Sequence, residues 1–486
     1  MRSRSVLLAA GACLASLTLT VGSAAADPPT PTPTSTSTST STPEFGHPPC
    51  TATSSASTGP VRSVPTPQPL HPVGTSSPTT PVVSTPTPTD TIPTATTTAG
   101  CVTLFSTPHG NSAGPILHLG GDGNFWFPDG TNIVRMLSHA PYTQTDFPIP
   151  GGAPFGITTG PDGNIWFTEL GQQFADPHGK PGQVGRILTH APYTVTEFPV
   201  PGAVAKVYDI ATGGDGNLWI TRPGTGGGGA VGTPEIDRML PHAPYTITQF
   251  PLPAINPPLP PSAGPELLVA DRQGNLWFNF LCSVLDPACF PSPGLGEISP
   301  LGSHPITVFP VNAGPTDISI GPRHDPNSVW SIGSQNAGFT GPYHLIRMDT
   351  ITHAVTTYPV TMTGVPNAIA AGPDGNMWIT EARTGYVIGR FQTHAPFTFS
   401  EIPLPDDTYS ISPTCGPDGN EWFATNRFPN PPDNPQGNPG LIGRVNLTGS
   451  GPPGLRGGAV SGLPGDLQSL LGGLRHDACP ASTPGI

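Results

Sequence analysis

The stretch Gly160-Pro161-Asp162-Gly163-Asn164-Ile165-Trp166-Phe167 recurs, with small changes, around every tryptophan of this 486-residue chain. The copies lie 40 to 58 residues apart and place one tryptophan each at the same position, at Trp126, Trp166, Trp219, Trp277, Trp330, Trp378 and Trp422. Repeats of this length are typical of β-propellers, in which each copy forms one blade. Seven copies predict an all-β, seven-bladed β-propeller.

One copy of the repeat predicts four short antiparallel strands. Within residues 154–201, β-rich runs occupy 155–159, 165–169, 184–188 and 194–200. The Asp162-Gly163 pair between the first two runs favours a tight turn, because it tolerates positive φ. Trp166 lies on the second run, and we expect its ring to pack between neighbouring blades.

The two ends of the repeat region predict how the ring closes. A fourth-strand pattern at residues 102–108 precedes any first strand, whereas the last copy has runs only near 409–414, 421–425 and 441–447. The N-terminal strand therefore supplies the outer strand of the last blade and covers its open edge. We expect the propeller to span residues 101–448, followed by a Gly/Pro-rich tail at 449–486.

The sequence before the propeller predicts export. Residues 1–26 resemble a cleavable signal peptide, and cleavage leaves no transmembrane span. Residues 27–100 are rich in Pro, Thr and Ser, and such a segment is expected to be a disordered linker. Six cysteines remain after cleavage and favour disulfides: Cys282 with Cys289, and, as a weaker preference among three pairings, Cys101 with Cys479.

Charge and composition narrow the range of partners. The formal net charge is −13 and only 10% of the residues are charged, which argues against nucleic acid and anionic lipid surfaces. We expect a secreted or cell-surface monomer. Its ligand would be a small molecule, a peptide or a cell-wall component.

The spacing between repeats varies at one place in the blade. The interval from each tryptophan to the basic residue of the third strand varies, whereas the interval from there to the next tryptophan is nearly constant. The variable loops therefore emerge on one face of the disc, where a ligand would bind on a rigid scaffold. Neutral drift on one tolerant face is the alternative.

Two other residue types recur in the repeat, and we expect both to be structural. The third strand carries a basic residue in six blades (Arg135, Arg186, Arg238, Arg347, Arg390 and Arg444), with Glu297 in the remaining one. Histidines recur in the turn between the third and fourth strands, on the opposite face: His139, His190, His242, His304, His353 and His394. They are spread around the rim, too far apart to share one metal.

The blade pattern Gly-Pro-Asp-Gly-Asn-x-Trp-Phe-Thr-Glu, followed by Gly-Arg-Ile and Thr-Glu-Phe-Pro, resembles the virginiamycin B lyase (streptogramin lyase) family over residues 102–447. The resemblance implies a seven-bladed propeller. It also implies Mg²⁺-assisted elimination that opens a cyclic depsipeptide. In that family a Pro-His-x-Ile motif on first strands points histidines into the central channel, one of them the general base, and a glutamate holds the metal.

This chain keeps the proline and the aliphatic residue at the two ends of that motif, which we call the frame, and replaces the histidine that follows the proline. The corresponding positions hold Phe155, Glu266, Thr316 and Asn367, while the less regular blades offer Tyr208, Tyr409 and either Pro115 or Ile116. His118 lies near this position but out of register. We expect Phe155, Tyr208, Glu266, Asn367 and Tyr409 to contact a ligand. Glu266 is the one candidate for the catalytic base.

The Trp-Phe-Thr-Glu glutamate is kept as Glu169 and Glu381, which the resemblance makes candidates to bind Mg²⁺ or Ca²⁺ at the loop-rich face. Because histidine is missing from the channel positions, the sequence favours a ligand-binding or scaffold protein. The alternative is a Mg²⁺-dependent carbon–oxygen lyase, or a related hydrolase, that uses the channel carboxylates.

Overall fold

The described residues form seven antiparallel sheets of five strands each. A computed structural model describes residues 53–447, except 56–60, 64–67, 71–73, 99–101, 110–115, 172–180, 203–206, 225–232, 254–262, 282–293, 312, 337–340, 383–386, 405–407 and 428–437. Every regular element in this part of the chain is a β-strand, and no helix there could span a membrane. The predicted all-β, seven-bladed propeller is confirmed.

Blades one to six each take four strands in chain order from the repeat region. Those of blades one to three are β9 His118–Leu119, β10 Phe125–Asp129, β11 Asn132–Met136, β12 Gln144–Pro148, β13 Pro154–Thr159, β14 Ile165–Glu169, β15 Gln183–Ile187, β16 Val195–Pro199, β17 Ile210–Thr212, β18 Leu218–Arg222, β19 Glu235–Met239 and β20 Ile247–Pro251. Those of blades four to six are β21 Gly264–Ala270, β22 Leu276–Leu281, β23 Leu295–Ile298, β24 Ile306–Phe309, β25 Gly314–Ile320, β26 Ser328–Ser334, β27 Tyr343–Asp349, β28 Val355–Val360, β29 Val365–Ala371, β30 Met377–Ala382, β31 Val387–Phe391 and β32 Phe399–Pro403.

Blade seven joins the two ends of the propeller. Its first three strands are β33 Thr408–Cys415, β34 Glu421–Arg427 and β35 Asn438–Val445, and its fourth is β8 Val102–Ser106. Strand β8 pairs antiparallel with β35, so that Val102 lies opposite Val445. The predicted closure by the N-terminal strand is confirmed.

Each tryptophan anchors its blade to the turn that precedes it. All seven indoles are at most 1% exposed, and each indole N–H donates to the aspartate of that turn, as Trp166 does to Asp162 Oδ1 at 2.9 Å. A Cβ added at Gly160 would lie 2.2 Å from the Trp166 ring, so this turn requires glycine. The predicted packing of the tryptophans is confirmed, and the motif is a structural unit.

The Pro/Thr/Ser-rich segment differs from the expected disordered linker. It contains seven short strands, β1 to β7: Thr53–Ser55, Val61–Ser63, Gln68–Leu70, Thr75–Ser77, Val82–Ser84, Thr89–Thr91 and Ala95–Thr98. Each one adds a fifth, outermost strand to a different blade, in the order six, five, four, three, two, one and seven. We call β1 to β7 the belt; it runs around the ring against the order in which the chain builds the blades.

The belt is held by main-chain pairing rather than by burial. Val82 and Val83 of β5 remain 55% and 63% exposed, although β5 pairs in register with β16, Val83 opposite Thr196. Composition predicted disorder because the segment has little apolar surface to bury. Strand addition needs only unpaired backbone groups at a sheet edge, and the fourth strand of every blade offers such an edge.

A seven-residue spacing in the sequence matches the belt. The residue directly before each of the strands β2 to β6 is proline or glycine, and these five are seven positions apart: Pro60, Pro67, Gly74, Pro81 and Pro88. Seven extended residues reach at most about 25 Å, which is an upper limit on the step that the belt makes from one blade edge to the next. Proline between strands removes no ladder donor.

Several sequence predictions concern parts of the chain outside the described residues. They are the signal peptide at 1–26, the tail at 449–486, and the pairings of Cys282 with Cys289 and of Cys101 with Cys479. These stay predictions.

Candidate functional site at the first strands

The first strands of successive blades contact one another and form the inner ring of the propeller. Four of these strands are irregular at the same place, just after the proline of the Pro-x-x-Ile frame. Their register shifts begin at Pro154, Pro265, Pro315 and Pro366. A β-bulge re-aims the side chain at its position, and such bulges are common beside functional sites. The frame that the sequence singled out is thus a distinct structural position.

Three of the predicted site residues come together on neighbouring blades. The rings of Phe155 and Tyr208 are 4.4 Å apart between centroids, and the Tyr208 hydroxyl donates to Glu266 Oε1 at 3.4 Å. The three side chains are between 3% and 5% exposed. They therefore form a packed cluster across blades two, three and four, which we call the inner cluster.

The carboxyl group of Glu266 is enclosed by polar partners. Asn279, on the second strand of the same blade, donates from Nδ2 to Glu266 Oε2 at 2.9 Å. Burial raises the pKa of Glu266 to about 8; the hydrogen bonds from Asn279 and Tyr208 oppose this rise, and the charges of Asp317 and Asp209 add to it. Glu266 is therefore mostly protonated at neutral pH and can donate or accept one proton near pH 8.

Sequence reasoning missed the two aspartates beside this cluster. Asp209 Oδ2 accepts the Leu268 backbone N–H from the next blade at 2.9 Å. Asp317 Oδ2 likewise accepts the Ile369 N–H at 2.7 Å. Each directly follows a frame position, Tyr208 or Thr316, and this was the available signal. Both carboxylates connect adjacent first strands, which identifies them as structural parts of the inner ring.

The remaining frame residues do not join the inner cluster. Asn367 is partly exposed and donates from Nδ2 to the Ile411 carbonyl at 3.2 Å. Thr316 donates to the Ile332 carbonyl within its own blade. The side chain of Tyr409 lies outside the described part of the structure. His118, 7% exposed, contacts Thr159 Oγ1 through Nε2 at 2.9 Å, so its imidazole is engaged with the neighbouring blade.

Glu169 and Glu381 do not form a metal site in this geometry. They lie on blades two and six, and each is 1% exposed rather than open at the loop-rich face. Burial raises the pKa of Glu381 to about 8, and the adjacent Glu401 carboxylate raises it further. Within the described residues no group of three or more His, Cys, Asp or Glu side chains could hold a metal ion. The described residues therefore do not complete a Mg²⁺ or Ca²⁺ site at Glu169 or Glu381.

The repeated arginines are structural, as predicted. Every third-strand position lies directly opposite its tryptophan, as Arg186 does opposite Trp166, with the guanidinium 5.3 Å from the ring centroid. Arg390 donates from Nε to Asp374 Oδ2 at 2.6 Å. Glu297, the exception, pairs with His353 of the next blade at 3.4 Å. The third-strand residues thus connect the tryptophan, the turn and the following blade.

The recurrent histidines belong to two positions instead of one. His139, His190 and His242 begin their turns, as predicted. His304 and His353 instead have positive φ, as do Tyr142, Tyr193 and Tyr245 three residues after those histidines. His304 packs its ring on Phe250 of the preceding blade, with 5.1 Å between centroids. The prediction of turn residues holds, but two of these histidines are also packing residues.

Known proteins share this architecture. Residues 53–284 match the model of the virginiamycin B lyase family. A streptogramin B lyase structure aligns with a TM-score of 0.52 at 21% identity, covering 71% of this chain and 97% of its own. A catalytically inactive virginiamycin B lyase from Staphylococcus aureus, solved with quinupristin, aligns with a TM-score of 0.53 at 20% identity, covering 71% and 99%. No curated protein matches the chain. At these identities the structural likeness is one of fold.

Proposed function

We propose that this virginiamycin B lyase-like β-propeller is an exported ligand-binding protein whose loop-rich face holds the ligand. One observation carries the proposal: Phe155, Tyr208 and Glu266 fill the frame positions where the lyase resemblance implies an accessible imidazole. They are nearly fully buried and contact one another. A base that attacks a bound antibiotic has to reach it, and this cluster is closed by its own contacts.

The loops that vary in length between blades lie on one face, the loop-rich face, and a ligand bound there would contact them. The connections from second to third strands and from fourth to first strands leave the blades on this side, as follows from the antiparallel order of each sheet. The opposite face carries the repeated turns that begin with His139, His190 and His242. Varied loops on a rigid ring are the usual arrangement of a binding surface. A small molecule, a peptide or a cell-wall component would suit it, and the leader sequence supports export.

A ring-opening assay separates binding from catalysis. The purified chain is incubated with quinupristin and Mg²⁺, and liquid chromatography with tandem mass spectrometry follows the opening of the ring. Elimination gives a linear isomer of unchanged mass, whereas hydrolysis adds one water. We expect intact antibiotic under conditions in which a virginiamycin B lyase linearises it. Turnover by this chain that is lost in Glu266→Gln would overturn the proposal and establish the lyase alternative.

A second assay tests the binding face directly. The chain is incubated with purified cell-wall sacculi and with immobilised cyclic peptides, and the bound fraction is measured. Shortening the loop at residues 282–293 should reduce binding, whereas the turn-face variant His139→Ala/His190→Ala/His242→Ala should not. Loss of binding in the turn-face variant alone would place the ligand on the other face.

The lyase alternative has one observation in its favour. A carboxyl whose pKa lies near 8 is a stronger base than an ordinary glutamate, and the Tyr208 hydroxyl orients it. Opening a path to Glu266 would then require movement of Phe155. This alternative predicts a rate that rises with pH toward 8, whereas the binding proposal predicts no reaction at any pH.

A further inference from the structure

The belt passes from one blade to the next through short connections. Residues 78–81 join β4 to β5 and read Pro-Thr-Thr-Pro, and residues 85–88 join β5 to β6 and read Thr-Pro-Thr-Pro. Three threonines of these connections directly precede a proline: Thr80, Thr85 and Thr87. A residue in that position is held in extended backbone, because its α region clashes with the proline ring. All three are also exposed, on the outermost segment of the propeller.

Thr79 and Thr80 are neighbours in one connection but differ in what their side chains contact. The Thr79 hydroxyl donates to the Tyr245 carbonyl oxygen at 2.7 Å, and Thr79 is half-buried. This bond fastens the connection to a turn of blade three. Thr80 is exposed, and in the part of the chain that the structure describes no hydrogen bond joins its hydroxyl, or those of Thr85 and Thr87, to another residue. These connections therefore carry one threonine that the propeller engages and three that are open to solvent.

Main-chain pairing holds both ends of each connection in place. Strand β4 pairs with β20, β5 with β16 and β6 with β12, so the two connections lead from blade three to blade two and from blade two to blade one. A short segment that is fixed at both ends presents its exposed threonines in an extended chain. Proteins commonly recognise peptides in this form. An enzyme can therefore reach these hydroxyls without opening a blade.

The charge around these threonines favours a neutral modification. Residues 63–100 contain no Lys or Arg, Asp90 in β6 is exposed, and the whole chain has a net charge of −13. A phosphate on threonine would add about 1.5 to 2 negative charges, and its usual partners are arginine and lysine, which this part of the belt lacks. A sugar adds no charge. Segments rich in Ser and Thr that also contain Pro are typical sites of O-glycosylation.

We propose that Thr80, Thr85 and Thr87 are O-glycosylated, so that the outer rim of the propeller carries neutral sugars. In this step the threonine Oγ1 attacks the anomeric carbon of an activated sugar phosphate held by a transferase. A carbon–oxygen bond to Oγ1 forms as the bond from that carbon to the phosphate oxygen breaks. The phosphate leaves with the electron pair, and the hydroxyl proton passes to a base of the transferase. These sites rest on the export of the chain that is part of the proposed function, and they leave both faces of the ring free for a ligand.

Mass spectrometry of the exported chain tests the three sites. The full chain is recovered from the medium of the cells that naturally produce it, and peptides covering residues 75–91 are fragmented by electron transfer, which keeps sugars attached. We expect mass increments of whole sugar residues on Thr80, Thr85 and Thr87, and none on Thr79. Unmodified peptides from the exported chain would overturn the assignment of these sites and leave export and ligand binding standing. A phosphate increment on these threonines would overturn it as well.

Two single variants separate the neighbouring threonines. Thr80→Val removes an exposed hydroxyl and nearly keeps the shape of the side chain, so residues 78–81 should lose their sugar. Thr79→Val is the matched control, because it removes the hydroxyl that donates to Tyr245 and should leave the sugar on Thr80. Both positions lie outside the strands, and circular dichroism verifies that the sheets are kept. Loss of the sugar in Thr79→Val alone, or equal modification of Thr79 and Thr80 in the unaltered chain, would contradict the assignment.

Discussion

The Tyr208 hydroxyl, just before the first strand of blade three, donates to the Glu266 carboxyl on the first strand of blade four at 3.4 Å, across the blade boundary. The contact lies in a buried cluster, so the protonation state of Glu266 affects how the inner ring packs. Burial raises the pKa of this carboxyl to about 8 from 4.5. The same direction, with burial as the largest cause, holds for the pKa of Asp237, Glu381 and Glu421.

We therefore expect the protein to be more stable in mild acid than in mild alkali. Between the unfolded pKa of 4.5 and the folded pKa of about 8, the folded state holds a proton on Glu266 that the unfolded state has lost. The contribution of this group to the free energy of unfolding is fully present below pH 4.5. It decreases as the pH rises to 8, by up to about 1.4 kcal/mol per pH unit. Glu266→Gln should flatten this part of the profile. Urea unfolding at pH 5, 7 and 9 measures it.

The control for that experiment is a carboxyl on the exposed belt. Asp90→Asn removes one negative charge without touching the inner cluster, and it should leave the slope of stability against pH unchanged. A wild-type profile that rises from pH 5 to pH 9 would show that Glu266 is ionised in the folded protein, and the packing argument would fail.

The paired carboxyls of blade six give a second pH-dependent prediction. Glu381 Oε2 accepts the Gly364 N–H at 2.7 Å, and the neighbouring Glu401 raises the pKa of Glu381 in addition to burial. A protonated Glu381 can donate to Glu401, and a glutamine can do the same without a charge. Glu381→Gln should raise the melting temperature at pH 9 and change it little at pH 5. Glu381→Ala, which removes the donor, should lower the melting temperature at pH 5.

The blade repeat and the inner cluster were not equally predictable from sequence. The turn, Trp166 and Arg186 follow from local pattern, because the motif encodes a tight turn and a strand pair within one blade. The contact of Phe155 with Tyr208 depends on which side chains two blades bring together, and the sequence named the positions without their burial. Glu169 and Glu381, which the family resemblance made candidate cation ligands, are also buried, and the sequence did not show this burial.

Two glycines of one turn separate two causes of destabilisation. A Cβ at Gly160 would lie 2.2 Å from the Trp166 ring, and Gly160→Ala should cost about 2–3 kcal/mol through overpacking. Gly163 has φ +74° with nothing within 4 Å of an added Cβ, so Gly163→Ala should cost about 1 kcal/mol through backbone strain alone. Chemical denaturation of both variants measures the difference. Equal costs would mean that the tryptophan ring yields to the new methyl group.

The belt covers the outer edges of the blades. Without it, the fourth strand of each blade would expose a row of unpaired backbone groups, the usual template for edge-to-edge association. Strand β5 pairs with β16 and β4 with β20, while Ser76 also contacts Thr248 between hydroxyl oxygens at 3.0 Å. A polar, proline-punctuated segment suits this place because it supplies hydrogen bonds and exposes few large apolar side chains, chiefly Val82, Val83 and Ile92.

Hydrogen exchange can detect the belt. Peptides that cover residues 75–77, 82–84 and 89–91 should exchange more slowly than expected for a Pro/Thr/Ser-rich chain, because their strands pair with the blades. Val82, Val83 and Ser84 are each replaced by proline in three separate variants. At least one of these should lose a backbone N–H that pairs with β16, and β16 should then exchange faster. Thr85→Pro, just beyond the strand, is the matched control and should not have this effect. Exchange over residues 75–91 as fast as in an unfolded peptide would mean that the belt does not pair in solution, and the outer blade edges would then be open.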